Sequence, residues 1–408
     1  MQEKEIRQTT IAYYVANILS AHFAMTFGVY VLMLKHSGLN LTEINAINFT
    51  FMIAVFFLEV PTGSFADIFG HKKSFIIGLM IEGIGLILYF LASSFWGYIL
   101  AEIIVAFASA MQSGSLDAWA VNRLRKLGWR NGYAGFFGRS YVYHRVAILV
   151  MAWIGAKIGY RFGLSWPFLV AGILAMLSSA VLWFVLNNGD HSEETKAGIR
   201  SWRDFYRNIS QGRQIIVNHE RLALLFGICF IISMMVQPVN MQWSVLYEAR
   251  FNTVDTSTPV FVQVLGTIIG ASLLAFFCTK VRGMITQLTC VIIVIGMTIF
   301  IIPATNDWGI FMAVLFVHEL PRGMVMPLQA SWVNEFVQDD CRRATVNSYF
   351  GMLWTLAAGT GLLLSGFWAE WWGIAFTWQT ISLISMILLA ALLAIYHWKQ
   401  KSSVKRIA

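Results

Sequence analysis

Residues 76–92 read IIGLMIEGIGLILYFLA, a continuous apolar run holding a single acid, Glu82. At a rise of about 1.5 Å per residue, ~20 such residues carry a helix across the hydrocarbon core of a bilayer. Runs of the same kind recur at 224–236 (LLFGICFIISMMV) and 381–396 (ISLISMILLAALLAIY). Strands of a membrane barrel would alternate polar and apolar side chains, and these runs do not. The chain therefore reads as helices in a membrane. Its composition agrees. Of 408 residues, 58% are hydrophobic and 12% charged, against roughly 25% charged in soluble domains. Mean hydropathy is +0.65.

Extending this reading places spans near 10–34, 43–62, 73–93, 97–121, 132–157, 165–187, 221–247, 258–279, 284–303, 308–334, 344–370 and 374–398. The first, after MQEKEIRQ, is too long and lacks the small-residue cleavage site of a removed signal peptide, so it is expected to stay. Twelve spans return both termini to one side, and the basic residues choose it. With the termini in the cytoplasm, the inner segments hold 22 Lys and Arg and the outer ones four, Lys35, Lys157, Arg161 and Arg250. That follows the positive-inside rule. The net charge of +8 is thus a topology signal rather than a sign of nucleic acid. The polar stretch 188–220 divides the chain into 1–187 and 221–408, six spans each. Its Trp202, Phe205, Tyr206 and Ile209 recur at helical spacing among arginines, which fits either a helix on the membrane surface or a plain linker helix. Of the four cysteines, Cys229, Cys278 and Cys290 lie in apolar runs and Cys341 outside them, with no metal-ligand spacing.

Between spans two and three stands GSFADIFGHKKSF, residues 63–75. Gly63 and Gly70 permit close approach and a sharp turn, and Lys72 and Lys73 mark a cytoplasmic loop. This stretch resembles the signature loop of the major facilitator superfamily, G-x-x-x-D-x-x-G-x-[RK]-[RK], through Gly63, Ala66, Asp67, Gly70, Lys72 and Lys73. Ile68 and His71 depart from it. Glu59–Gly63, Ser113-Gly114-Ser115 with Asp117-Ala118, and 343–366 are similar to further stretches of bacterial members. The resemblance implies an all-α integral membrane fold of two six-helix bundles, with substrate bound between them and alternating access. It also implies a cytoplasmic gate. Asp67 is expected near the start of span eleven, with Gly63, Gly70, Lys72, Lys73, Asp117, Arg123 and Arg139 around it. Drug–proton antiporters often carry an arginine four residues before the span-four glycine and a Gly-Pro-rich span five. Here Ala110 precedes Gly114, and span five has no proline.

Span ten carries the costliest residues. In VLFVHELPRGMVMP (314–327), His318, Glu319 and Arg322 lie about 15 Å into the membrane. Pro321 and Pro327 remove helix hydrogen bonds, and broken helices at this depth line cavities. The cluster therefore serves proton coupling or substrate binding, or it is a self-neutralising brace; both readings stand. HELPR begins like the zinc-hydrolase H-E-x-x-H motif, but Arg322 replaces the second histidine and cannot ligate. No enzyme activity and no cofactor or metal are expected. Arg145 in span five and Glu102 in span four are further coupling candidates and a possible pair. Glu82 is expected to meet a neighbouring helix. His22, Gln237, Asn240, Gln242 and Gln329 are candidates for the substrate cavity, each weighed against plain helix–helix contact.

These readings predict a monomeric secondary transporter in a bacterial-style inner membrane. It would export a small organic compound, coupled to protons or another ion. The alternative is an anionic metabolite or siderophore-like substrate, moved by uniport or symport.

Overall fold

The run at 76–92 lies in a helix that starts at His71 and ends at Leu91. In the computed structural model the described residues are 2–186, 210, 213–214, 216, 219–337 and 340–407. Among them are twelve helices long and apolar enough to cross a membrane. These are α1 (Gln2–His36), α2 (Leu41–Phe69), α3 (His71–Leu91), α4 (Phe95–Lys126), α5 (Tyr133–Phe162), α6 (Trp166–Val185), α7 (Glu220–Phe251), α8 (Ser257–Lys280), α9 (Met284–Ala304), α10 (Trp308–Phe336), α11 (Tyr349–Trp372) and α12 (Ile374–Gln400). The described residues include no strand. The expected linker and surface helix over 188–220 fall, a few scattered positions apart, outside the described residues.

The helices overrun the apolar runs that revealed them. α1 begins at Gln2 rather than near residue 10, because a helix continues into polar surroundings where hydropathy falls. α2 continues through Gly63 to Phe69, so only Gly70, at φ 98°, makes the turn expected at both glycines.

Three spans are interrupted. α1 tightens to a 3-10 stretch over Ser20–Thr26. There Ser20 Oγ donates to the Asn17 carbonyl, Thr26 Oγ1 donates to the Phe23 carbonyl, and His22 Nδ1 lies 2.8 Å from the Leu19 carbonyl. Side chains bonding back to the backbone loosen a helix in this way. α4 breaks at Gly114 (φ 66°). α7 breaks at Val236, where Pro238 opens the second half.

The chain forms two compact units. The first holds the described residues up to 39, those from 47 to 186, and 254–261; the second holds 40–46 and the rest. Lys157 explains the outlying 254–261, since its Nζ donates to Asp255 Oδ2 at 2.8 Å. Asn45 explains 40–46, since it donates to the Leu362 carbonyl at 2.7 Å. In the first unit Tyr13, Phe75, Leu79, Trp119, Leu124 and Phe136 form a core cluster. In the second, α8 and α10 meet with almost no side chain between them. A Cβ on Gly270 would collide with the Leu320 carbonyl, and one on Gly323 with the Thr267 carbonyl. Helices without a solvent-driven attraction associate through such small-residue contacts. Phe184, 83% exposed, and Trp96, Trp371 and Trp398 at span ends, 69–76% exposed, suit lipid and its interface.

Candidate functional site

The α8–α10 contact fixes the backbone that carries the charges. α10 is one continuous helix of 29 residues with Pro321 and Pro327 inside it, so the break expected there does not occur. Gly266 faces the Cβ of Glu319, which holds that carboxylate at the helix contact.

Arg322 Nη1 donates to Glu319 Oε1 at 2.7 Å, and Nη2 donates to Asn240 Oδ1 at 2.7 Å. The Glu319 side chain is 2% exposed and that of Arg322 is 23% exposed. The carboxylate is sealed behind a guanidinium that keeps one open side. Asn240 Nδ2 in turn reaches Gln237 Oε1 at 3.4 Å, and Gln237 Nε2 donates to the Ser233 carbonyl at 2.9 Å. The break in α7 at Val236 brings these amides to α10. The arrangement is a buried ion pair whose cation carries a second, neutral acceptor.

His318 stands apart from this group. It has no exposed surface, and its Nδ1 lies 2.8 Å from Thr298 Oγ1 of α9. Neighbouring helix residues do not share a face, so His318 and Glu319 address different helices. Gln242 is also fully enclosed. Its Nε2 donates to the Ser365 carbonyl and its Oε1 accepts from Trp378 Nε1, both at 2.9 Å. Gln329 is buried, and its Oε1 has no hydrogen-bond partner among the described residues.

In the first unit, His22 sits in the tightened stretch of α1, with Nε2 3.5 Å from Glu82 Oε2. Gln112 Nε2 donates to the same oxygen at 2.8 Å. Glu82 thus meets neighbouring helices, as its place on α3 suggested. The Glu102–Arg145 pair does not form. Glu102 accepts hydrogen bonds from Tyr89 and Tyr30 instead, and Arg145 lies 4.9 Å over the Tyr141 ring. No carboxylate pairs with Arg145 among the described residues.

The residues expected at the gate take varied partners. Lys72 is buried and donates to the Trp183 carbonyl at 2.9 Å. Asp117 Oδ1 accepts from Tyr13 at 2.6 Å. Arg123 reaches Glu5 at 3.5 Å. Lys73 and Arg139 are exposed, and Asp67 and Gly63 are half-buried on α2. Sequence reasoning did not single out Tyr30, Tyr89 or Thr298. Their signal was weak, because an aromatic or threonine in an apolar run reads first as packing.

Twelve helices long and apolar enough to cross a membrane, one of them carrying the buried Glu319–Arg322 pair, mark a polytopic membrane protein. The family model described as Major Facilitator Superfamily matches residues 13–302 and 251–407, and the chain belongs to that superfamily. It is a multi-pass membrane transporter, and secondary transport by alternating access is the activity this membership carries. A Na(+), Li(+), K(+)/H(+) antiporter of Planococcus maritimus is 24% identical over 365 residues, covering 76% of this chain and 82% of the antiporter. An uncharacterized MFS-type transporter of Methanocaldococcus jannaschii is 23% identical over 195 residues, 46% of this chain and 49% of that protein. The chain thus aligns with about half the length of that relative. The crystal structure of the nucleoside transporter NupG has the same fold, with TM-score 0.76 at 17% identity, covering 96% of this chain and 98% of NupG.

Proposed function

We propose that this chain exports a small organic compound in exchange for protons, with Glu319 as the proton carrier. The observation that carries this reading is the Glu319–Arg322–Asn240 group, a sealed carboxylate bonded to a guanidinium that keeps partial exposure. A proton on Glu319 dissolves the ion pair and releases Arg322. Loss of the proton restores it. A carboxylate that must be either paired or protonated in a low-dielectric setting is a two-state element. A compound that donates to the Glu319 carboxylate competes with the proton, and that competition is antiport. The antiporter relative exchanges cations for protons by its name, which supports this direction of coupling. Both termini lie in the cytoplasm of an inner membrane in this reading. His318, held on Thr298, braces α10 against α9.

A second reading rests on Arg145, an intramembrane guanidinium without a carboxylate partner among the described residues. An anionic metabolite or siderophore-like compound would accept from Arg145, moved by uniport or carried with the proton as symport.

One experiment separates them. Purified protein in proteoliposomes is given a pH gradient against a panel of lipophilic cations, organic acids, and sodium and potassium ions. Uphill movement of a cationic or neutral compound against the proton flow supports exchange. Movement of acids with protons favours the second reading. Flux of every compound indifferent to the gradient rejects proton coupling.

A further inference from the structure

Every other buried carboxylate described above has a basic or amide partner from a neighbouring group: Glu319 has Arg322, and Glu82 has His22 and Gln112. Glu102 has neither. It is 5% exposed, on α4 seven residues in from Phe95, about 10 Å along the helix. Tyr89 of α3 donates to Oε2, and Tyr30 of α1 donates to Oε1 at 3.4 Å. The rings of the two phenols meet edge to face, their centroids 5.9 Å apart. From α6 the Phe168 ring lies 5.2 Å from that of Tyr89. Tyr98 on α4 itself stacks on Tyr89 and spends its hydroxyl on Ser37, at 2.8 Å. The titratable groups facing Glu102 are thus tyrosines, with no Lys, Arg or His among the described residues.

We propose that Glu102 is a second proton-binding carboxyl, in the first unit, loaded and unloaded through Tyr30. An unpaired carboxylate buried in protein costs far more than the neutral acid. Phenols make both forms tolerable. The carboxylate accepts from both hydroxyls. After a proton adds to one carboxyl oxygen, the new O–H donates to the phenol oxygen beside it, that phenol turns its own hydrogen away, and the other phenol goes on donating to the second carboxyl oxygen. Only hydrogen-bond directions change, and no tyrosine ionises. Tyr30 is the one member of the trio with more than marginal exposure, which makes it the entry point. This deepens the proton-coupled reading and rests on it for its use in transport, while the proton binding itself is measurable separately.

The test is infrared difference spectroscopy of the full chain in lipid nanodiscs, stepped in pH across the range where it stays folded. The wild type is expected to show a carboxylic-acid carbonyl band that converts to carboxylate as pH rises. Glu102→Gln removes that band and Glu319→Gln leaves it. Tyr89→Phe keeps it but shifts its frequency, because the acid loses a bonding partner, and this variant retains the carboxyl if Glu102→Gln fails to fold. A pH-dependent spectrum unchanged by Glu102→Gln, or by Tyr89→Phe where the first variant is unstable, overturns the proposal. So does a Glu102 that holds one protonation state throughout. A wild type whose flux ignores the pH gradient, while this band still titrates, refutes the coupling reading and leaves the binding site standing.

Discussion

Arg322 reaches back one helical turn to Glu319, Nη1 to Oε1 at 2.7 Å, while Nη2 holds Asn240 of α7 at the same distance. The pair spans the two properties a coupling element needs. Its acid is shut away from solvent, and its base is not. Removing one partner strands the other, which is far costlier than removing both.

Arg322→Ala is therefore expected to destabilise by about 3 kcal/mol, because Glu319 is left buried and unpaired. Adding Glu319→Gln should recover most of the loss. Melting temperatures in detergent for the two single variants and the double variant measure this. Simple additivity would show that the contact is not an energetic pair.

His318 is expected to act as a brace. Thr298→Val leaves Nδ1 without its partner and costs about 1–2 kcal/mol, with the pH dependence of transport unchanged. A shifted pH profile in this variant would bring His318 into the coupling machinery.

The α8–α10 contact leaves no room for a side chain. Gly270→Leu forces Leu320 away and costs at least about 1–3 kcal/mol, and because the same contact positions Glu319, transport should fall with it. Normal flux and stability in Gly270→Leu would show that the helices can part freely.

Much of this was legible beforehand. The apolar runs gave the spans, and the 63–75 stretch gave the turn at Gly70 and the superfamily. The charges of α10 stood out because ionisable groups are rare in such a run. What stayed hidden needed the third dimension. The break at Ser20–Thr26 has neither proline nor glycine to announce it. Thr298 lies 20 residues from His318, and Tyr30 lies 72 from Glu102; no periodicity links such distances. The pairing of Glu102 with Arg145 looked reasonable on opposite charge alone, and the structure meets the acid with phenols instead.

The acid response at Asp255, between α7 and α8, has a defined sign. Partial burial pushes its carboxyl up, but hydrogen bonds from Lys157 and Ser257 outweigh this and hold it below the ordinary carboxylate range. A value lowered by folding contributes stability above the unfolded pKa of about 4, and that contribution is lost as pH falls through the folded value. The melting advantage of wild type over Lys157→Met should be constant at neutral pH and shrink in acid below about pH 4. An advantage independent of pH down to the acid limit would mean the pair contributes nothing.

Glu319→Gln in proteoliposomes probes the central claim most directly. The isosteric amide keeps an acceptor for Arg322 and cannot take a proton. Substrate exchange down its own gradient should persist, and uphill flux driven by a pH gradient should vanish. Uphill flux at the wild-type rate, with the wild-type pH profile, would contradict the assignment of Glu319 as the proton carrier.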